Sequence, residues 1–223
     1  MSLKIIGGEY GGRVLRAVKG LGTRPLLGQV RESVFNILQD VIPDAFVWDL
    51  FAGTGASGIE SLSRGAARVA FVEKNHKALD VLRGNLQTLG DDAVARAVVQ
   101  RGDAWDPPPM LDSVFGPGRE SHVPGSEVPP DVVFLDPPYA LVAEDPVKCM
   151  AKARRLLDRT ARGGCVVFHF ATGVLDRDDF DGELDVDLRE WGSTAIAFLF
   201  RRGEAPERLQ KRWAKERERD GAS

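Results

Sequence analysis

The sequence is poor in cysteine and histidine and has no long apolar run. Its two cysteines, Cys149 and Cys165, are too few for a disulfide framework, so a reducing cytoplasm is the expected location. No spacing of cysteines and histidines suggests a metal site, and we expect no bound metal. Because no run of about eighteen apolar residues occurs and the N-terminus has no apolar segment, the sequence predicts neither a membrane span nor a secretory signal.

A strong excess of one charge is also missing. The 223 residues carry a formal net charge of −3, which argues against a general nucleic-acid binder. Basic residues nevertheless outnumber acidic ones in residues 1–40 and again in 201–220. A local basic face of this kind is compatible with RNA binding, although two ordinary solvated surfaces would account for the same charges.

Apolar periodicity predicts an α/β domain with a parallel sheet covered on both faces. A chain of 223 residues with 43% hydrophobic and 28% charged residues is long enough to bury such a core. Strand and helix patterns alternate, which is typical of parallel β-α-β units. Residues 106–130 are rich in Pro, Gly and Ser, and we interpret them as a long surface loop. The other predictions are a hairpin in 3–18; helices over 29–41, 57–65, 75–90 and 146–159; strands over 45–51, 68–73, 93–100, 131–136, 163–172, 183–191 and 194–202; and a solvated, charged helix within 204–223.

A glycine-rich turn follows the first of the predicted central strands. Residues 47–60, VWDLFAGTGASGIE, contain Gly53, Gly55 and Gly58 in the G-x-G-x-x-G spacing. Such a turn brings the backbone close to a ligand and starts a helix, as sites for both NAD and S-adenosylmethionine require. Asp49, just before the turn, would repel a diphosphate but could offset a sulfonium or bind an ammonium. The turn and the acid together therefore favour S-adenosylmethionine.

Three further acids follow predicted strands. Glu73 lies twenty residues after Gly53, where a carboxylate can accept both ribose hydroxyls. Asp103 follows the next strand and could accept a hydrogen bond from the adenine amine, and Asp136 follows the fourth. Ligands of parallel sheets bind beyond the carboxyl ends of the strands. Each acid alone could be a solvated loop carboxylate or a helix cap, but the set predicts a cofactor site.

The sequence DPPY, from Asp136 to Tyr139, forms a polar corner after an apolar strand. Two prolines restrict the backbone and supply no N–H, so nearby carbonyl oxygens can be turned outward rigidly. Asp136 and the Pro137 carbonyl could then accept both hydrogens of a planar exocyclic amine and aim its lone pair at a sulfonium methyl group. Tyr139 offers a flat face for stacking of an extruded base.

The motifs in combination resemble a known enzyme family. DLFAGTG with DPPY is similar to amino-methyltransferases that act on exocyclic nitrogens of nucleic-acid bases, and IIGGEYGGRVL, VRESVFNIL and FAGTGASGIESLSRGA extend the resemblance to the RsmD family over residues 4–200. The resemblance implies a Rossmann-like class I S-adenosylmethionine-dependent methyltransferase fold, with a seven-stranded, mostly parallel sheet, helices on both faces, and an N-terminal β-hairpin plus helix. It implies methylation of the N2 amine of a guanine in small-subunit (16S) ribosomal RNA, free or in an assembling 30S particle. We expect a monomer without membrane attachment.

The resemblance also implies roles for particular residues and segments. Residues 1–43 would form an RNA-contacting extension, 44–202 the methyltransferase domain and 203–223 a charged tail. Arg13, Arg24 and Arg31 are candidate phosphate contacts, although plain surface charge would explain them equally well. The residues expected around the ligands are Asp49, Phe51, Ala52, Gly53 and Gly55 at the methionine part, Glu73 and Lys74 at the ribose, Asp103 and Ala104 at the adenine, and Asp136, Pro137, Pro138 and Tyr139 at the guanine.

Other functions remain open at this point. A DNA adenine or cytosine amino-methyltransferase shares the DPPY motif, although no separate DNA-recognition region is visible, and a methyltransferase of another RNA also fits. An NAD-linked oxidoreductase is disfavoured by Asp49 and by the lack of a hydride-transfer acid or base, and a non-catalytic RNA-binding protein by the intact Asp136 and Tyr139. We interpret His169, inside the apolar segment CVVFHF, as a core or rim residue; Trp105 could cover the adenine or cap the core.

Overall fold

A twisted central sheet organises the chain. The computed structural model describes residues 3–18, 28–107, 128–180 and 182–220, with side chains described as far as residue 215. The strands are β1 (Leu3–Lys4), β2 (Val14–Leu15), β3 (Phe46–Leu50), β4 (Arg68–Glu73), β5 (Ala97–Arg101), β6 (Val132–Leu135), β7 (Cys165–Ala171), β8 (Leu184–Trp191) and β9 (Thr194–Arg201). Strands β1 and β2 form the antiparallel hairpin, and the other seven form one sheet in the order β5-β4-β3-β6-β7-β9-β8. Strands β5, β4, β3, β6 and β7 are adjacent in that order and pair in parallel. Strand β9 runs antiparallel to its two neighbours, β7 and β8.

Helices cover both faces of this sheet. They are α1 (Gly28–Ile37), α2 (Ala56–Ser63), α3 (His76–Leu89), α4 (Asp91–Ala95), α5 (Tyr139–Glu144), α6 (Pro146–Asp158) and α7 (Glu207–Asp220), with a short 3-10 helix at Arg177–Asp179. Asn75 caps α3 by accepting hydrogen bonds from the amides of Lys77 (2.9 Å) and Ala78 (3.3 Å). Asp145 caps α6 in the same way, and Pro146 follows in the first turn. These local signals explain why both helices begin where the sequence predicts.

Alternate residues of each central strand enter different cores. Val47 of β3 packs in the hydrophobic cluster that includes side chains of α1, α2 and α3. Trp48, the next residue, packs in the cluster on the opposite face, which includes side chains of α5 and α6. Because both faces are buried, the central strands are apolar at nearly every position rather than alternating with polar residues.

The N-terminal hairpin and the C-terminal helix share a core with the sheet. Ile5 and Leu15 of the extension join the same buried cluster as Leu209 and Trp213 of α7. Leu209 is 2% exposed and Trp213 is 8% exposed, because positions four apart lie on one face of a helix. The prediction of a solvated tail helix is therefore wrong for this face of α7. The sequence analysis divides the chain into an extension (1–43), a methyltransferase domain (44–202) and a tail (203–223). Residues of all three segments pack together in one core.

Residues 93–100 differ from the single strand that the sequence predicts. The first part of this segment belongs to α4, and β5 begins only at Ala97. Asp91 and Asp92 lie in the first turn of α4, where negative charge stabilises a helix, and Ala93 is buried. Helix α5 is also absent from the sequence predictions. The predicted loop over 106–130 lies largely outside the described residues.

Two negative findings apply to the part of the chain that the structure describes. No helix in it combines the length and the apolar character required to cross a membrane. No group of three or more His, Cys, Asp or Glu side chains in it is arranged to hold a metal ion.

Glu60 is a fully buried acid that fastens the N-terminal extension to α2. Its carboxylate accepts hydrogen bonds from the amides of Ile6 (2.7 Å) and Gly7 (3.0 Å). The same carboxylate pairs with Arg64 at 2.8 Å and lies 3.8 Å from Nε of Arg31. Since the side chain of Glu60 is 0% exposed, these partners must offset the cost of removing its charge from water.

We predict that Glu60→Ala lowers the free energy of unfolding by about 3–5 kcal/mol, because the buried Arg31, the partly exposed Arg64 and two backbone amides lose their acceptor. Urea unfolding followed by circular dichroism measures the change. Glu32→Ala, on the exposed face of α1, is the control and should alter stability by less than about 0.5 kcal/mol. Equal losses in the two variants would contradict the role assigned to Glu60.

Candidate active site

Four acids reach the same edge of the sheet. Asp49 lies near the end of β3, Glu73 ends β4, Asp103 follows β5, and Asp136 directly follows β6. These four strands are neighbours and run in parallel, so their carboxyl ends face one way. The structure therefore brings together the strand-end acids that the sequence singles out.

The glycine turn between β3 and α2 requires its glycines for two different reasons. Gly53 and Gly55 have φ values of 54° and 87°, in the left-handed region that favours glycine. Gly58 has no such constraint, but a Cβ atom there would lie 2.2 Å from Cε1 of Phe71 on β4. The first two glycines thus shape the turn, and the third allows α2 to pack closely on the sheet.

Asp49 is a buried acid that links β3 to the start of α2. Its side chain accepts a hydrogen bond of 2.8 Å from the amide of Gly58, and the residue is only 2% exposed. Burial raises the pKa of Asp49 to about 8, the charges of Asp136 and Glu73 raise it further, and the Gly58 hydrogen bond opposes both effects. The raised pKa favours the protonated form of Asp49 near neutral pH, and a bound cation would favour release of that proton.

Glu73 braces the glycine turn from the neighbouring strand. One carboxylate oxygen accepts a hydrogen bond of 2.9 Å from the Gly53 amide, and the other accepts one of 2.7 Å from the Asn75 amide. The side chain is partly exposed, and Lys74 beside it is exposed. Binding of a ribose by Glu73 stays a prediction, and its carboxylate already fixes the shape of the turn.

Two aromatic rings lie next to Asp103. The rings of Phe51 and Trp105 meet edge to face with centroids 5.2 Å apart, and Nζ of Lys152 lies 5.1 Å from the Trp105 ring centre. Asp103 is exposed and accepts a hydrogen bond of 2.9 Å from the Trp105 amide. Ala104, and Ala52 in the glycine turn, are both buried. This arrangement provides a half-buried aromatic wall beside the strand end where an adenine is predicted.

The DPPY corner joins β6 to α5. The Asp136 amide donates to the Leu50 carbonyl across a distance of 3.4 Å, which ties the corner to β3. Pro137 is buried and Pro138 is exposed, and the Pro138 carbonyl accepts a hydrogen bond from the third residue of α5. Tyr139 is half-buried, with its hydroxyl directed inward: the oxygen lies 2.7 Å from Nε2 of His169 and 2.9 Å from Oγ1 of Thr194.

His169 is the residue of this corner that the sequence analysis did not assign to it. It lies on β7, which pairs with β6, and it is 4% exposed. Its Nδ1 is hydrogen-bonded to the carboxylate of Asp136, and its Nε2 contacts the Tyr139 hydroxyl. Sequence reasoning treats it as a core or rim residue because its neighbours are apolar. The sequence did offer one signal for a role of His169 at this corner. It is a polar side chain near the end of a buried strand that lies beside the DPPY strand.

Asn85 connects the N-terminal extension to the glycine turn. Its side chain accepts a hydrogen bond of 2.8 Å from the Arg16 amide and donates to the Arg16 carbonyl at 3.1 Å. It also donates to the carbonyl of Thr54, inside the turn, at 3.0 Å. Asn85 is 1% exposed, so its side chain makes these three bonds from inside the protein. The segment after β2 is therefore held beside the predicted cofactor site.

The candidate phosphate contacts have different environments. Arg13 is exposed, its Nη1 donates to the carbonyls of Thr88 (3.4 Å) and Leu89 (3.3 Å), and its guanidinium lies 5.2 Å from the centre of the Tyr10 ring. It remains accessible from solvent at the end of α3. Arg24 lies outside the described residues.

Arg31 corrects the expectation made from sequence. It is 2% exposed, and its guanidinium donates to the Lys4 carbonyl and lies near Glu60. Burial lowers the pKa of Arg31 below its ordinary value, an effect that the charge of Glu60 opposes. An enclosed guanidinium in this position holds the hairpin against α1 and does not face a phosphate.

The sheet order and the strand-end features define the class of protein. One antiparallel strand lies between β7 and β8 in an otherwise parallel seven-stranded sheet, the glycine turn follows β3, and the DPPY corner follows β6. This is the Rossmann-like class I methyltransferase fold, as the sequence predicts. Solved methyltransferase structures share it.

The chain belongs to the family described as Conserved hypothetical protein 95, whose model matches residues 3–115. The Bacillus subtilis protein YlbH, named as a candidate rRNA methyltransferase, is 32% identical over 202 residues, which are 90% of this chain and 100% of that protein. Ribosomal RNA small subunit methyltransferase D of Haemophilus influenzae is 35% identical over 137 residues, 61% of this chain and 64% of that protein. A solved structure from Escherichia coli, of the candidate methyltransferase yhhF, is 26% identical with a TM-score of 0.66 and covers 90% of this chain and 98% of its own. The resemblance to the RsmD family is confirmed.

We predict that S-adenosylmethionine displaces the proton of Asp49, because a cation favours the ionised carboxylate. Below the raised pKa of about 8, affinity should increase with pH by up to about tenfold per unit, and it should level off above that value. Titration calorimetry at pH 7 in two buffers of different ionisation enthalpy should detect release of about one proton. Asp49→Asn keeps an acceptor for the Gly58 amide and should release fewer protons; the same proton count in both proteins would contradict the assignment.

Proposed function

We propose that this chain transfers a methyl group from S-adenosylmethionine to the exocyclic N2 amine of a guanine in small-subunit ribosomal RNA. The coarser part, methylation of ribosomal RNA, is supported by the family and by the names of its relatives. The observation that best supports attack by an amine is the DPPY corner, where the Asp136 carboxylate stands beside an anchored aromatic ring.

The methyl donor is S-adenosylmethionine. A donor site at the glycine turn is supported by the close backbone approach that Gly53 and Gly55 permit. Burial, and to a smaller extent the neighbouring carboxylates, raise the pKa of Asp49, and an acid in this position suits a ligand with a sulfonium and an ammonium. The same buried acid would oppose the diphosphate of NAD.

The proposed transfer is a direct displacement in which the enzyme positions the reactants. A bond forms between the guanine N2 and the methyl carbon, the bond between that carbon and sulfur breaks, and the electron pair stays on sulfur. Asp136 and the Pro137 carbonyl accept the two amine hydrogens, so their hydrogen bonds strengthen as positive charge develops on nitrogen. One of those protons then passes to the Asp136 carboxylate, and the Tyr139 ring supports the base by stacking.

The N-terminal extension is the proposed RNA-contacting part of the chain. Its exposed Arg13 is available to a phosphate, and Asn85 holds the following segment beside the glycine turn. We propose that an RNA strand leading to the DPPY corner meets the extension at the segment around Arg16, which Asn85 holds beside the glycine turn. We propose that the enzyme acts on free ribosomal RNA or on an assembling small-subunit particle.

The test of this function uses labelled S-adenosylmethionine with small-subunit ribosomal RNA, or particles, from a strain that lacks the corresponding modification. Nuclease digestion and chromatography should place the label on N2-methylguanosine. Label on adenine, or on DNA alone, would overturn the guanine assignment. Duplex DNA and a ribosomal RNA that already carries the modification are the controls.

We predict that Asp136→Ala lowers the rate constant for methyl transfer by about 10²- to 10³-fold, because the amine loses a charged acceptor that acts in the transition state. Affinity for S-adenosylmethionine should change by less than about twofold. Single-turnover kinetics and calorimetry measure the two quantities. Asp80→Ala, an exposed acid on α3, is the matched control. Equal losses of binding and rate in Asp136→Ala would mean that this residue serves the donor rather than the amine.

A further inference from the structure

A chain of hydrogen-bonded polar side chains, which we call the polar relay, extends from the DPPY corner to β7 and β9. It consists of the Asp136 carboxylate, the His169 imidazole, the Tyr139 hydroxyl and the Thr194 hydroxyl, in that order. Its members come from the β6–α5 corner, β7 and β9, so it links three neighbouring strands. His169 is the buried centre, with 5% of its side chain exposed, whereas 36% of the Asp136 side chain remains exposed.

The order of the partners determines the direction of the hydrogen bonds. An ionised carboxylate can only accept, so His169 must donate from Nδ1 to Asp136. In a neutral imidazole Nε2 is then an acceptor, and the Tyr139 hydroxyl must donate to it across 2.7 Å. The Tyr139 oxygen can in turn accept from the Thr194 hydroxyl at 2.9 Å. The relay therefore selects the tautomer of His169 that carries its hydrogen on Nδ1.

We propose that His169 is a positioning residue for methyl transfer, which fixes the amine-accepting carboxylate of Asp136 and the base-stacking ring of Tyr139 in one arrangement. This inference rests on the proposed function, since it assigns His169 to the same amine site. By occupying Oδ1 of Asp136, His169 leaves the second carboxylate oxygen for the substrate hydrogen. By accepting from the Tyr139 hydroxyl, it anchors the inner end of the ring and leaves the ring as a platform.

The arrangement of the Tyr139 and His169 rings agrees with these roles, in which His169 binds the Tyr139 hydroxyl and the ring face is left for the base. The Tyr139 and His169 rings lie edge to face, with centroids 5.1 Å apart and planes at 81°. The imidazole therefore contacts the ring edge and hydroxyl rather than covering its face. A reacting amine needs its acceptor and its stacking surface held to within a fraction of an ångström, and a displacement of about 1 Å can cost about 10²-fold in rate.

A purely structural histidine would satisfy the same hydrogen bonds, so the experiment must separate the two roles. His169→Ala should lower the rate constant of methyl transfer by about 10- to 100-fold while changing affinity for S-adenosylmethionine by less than about twofold. His169→Asn places an amide N–H near the Nδ1 position and should recover about tenfold of that loss. Thr172→Val, directly after the same strand and bonded to the Gly192 carbonyl, should retain wild-type kinetics.

The outcomes separate this proposal from the proposed function. Methylation of a base other than guanine by the wild-type protein would overturn the guanine assignment, while the His169 comparison would still be made on the base that is labelled. A wild-type rate in His169→Ala would overturn the positioning role. So would a loss of donor affinity as large as the loss of rate, found in both His169→Ala and His169→Asn.

A spectroscopic measurement tests the relay without any activity. Long-range ¹H–¹⁵N spectra of the ¹⁵N-histidine-labelled protein, assigned through His169→Asn, should show the Nδ1–H tautomer of His169 at neutral pH. Tyr139→Phe removes the donor to Nε2 and should shift the Nε2 resonance. An Nε2–H tautomer in the wild-type protein, or an unchanged resonance in Tyr139→Phe, would contradict the relay.

Discussion

The hydrogen bond between the Asp49 side chain and the Gly58 amide is the constraint on which the predicted donor site depends. It joins the end of β3 to the first turn of α2, with the glycine turn between them. Gly58 can approach only because it lacks a Cβ atom, which would collide with Phe71. Glu73 fastens the same turn from β4 through the Gly53 amide. Two strands and one helix thus fix the backbone at which a ligand would bind, before any ligand is present.

The N-terminal extension is joined to this turn through α2 and α3. Glu60 on α2 binds the hairpin amides, and Asn85 on α3 bonds both to Arg16 and to Thr54 within the turn. Arg31, a candidate RNA contact in the sequence, is used for this internal attachment instead. The proposed RNA-binding and donor-binding parts are therefore joined by hydrogen bonds through α2 and α3.

The sequence predicted what depends on local pattern and strand order. Apolar strands, the glycine turn and the position of Asp49, Glu73 and Asp136 at strand ends all follow from period and spacing. Residues 93–96 were misassigned, because a short helix and the strand after it share one apolar segment. The environments of Arg31 and His169 depend on packing between distant segments, so the sequence gives no signal for Arg31 and, for His169, only a polar side chain within an apolar strand. A lone histidine in an apolar strand is more often a core residue, and only the pairing of β6 with β7 brings His169 to Asp136.

The carboxyl groups of Asp49, Glu73 and Asp136 have different local partners. Glu73 is satisfied by two backbone amides, and Asp136 by the His169 imidazole. Asp49 has the Gly58 amide but is buried beside two like charges, and this imbalance raises its pKa to about 8. A cationic donor bound at the predicted site would supply the missing positive charge. Loss of the methyl group converts a sulfonium to a neutral thioether, so at that site Asp49 would attract the product less strongly than the donor.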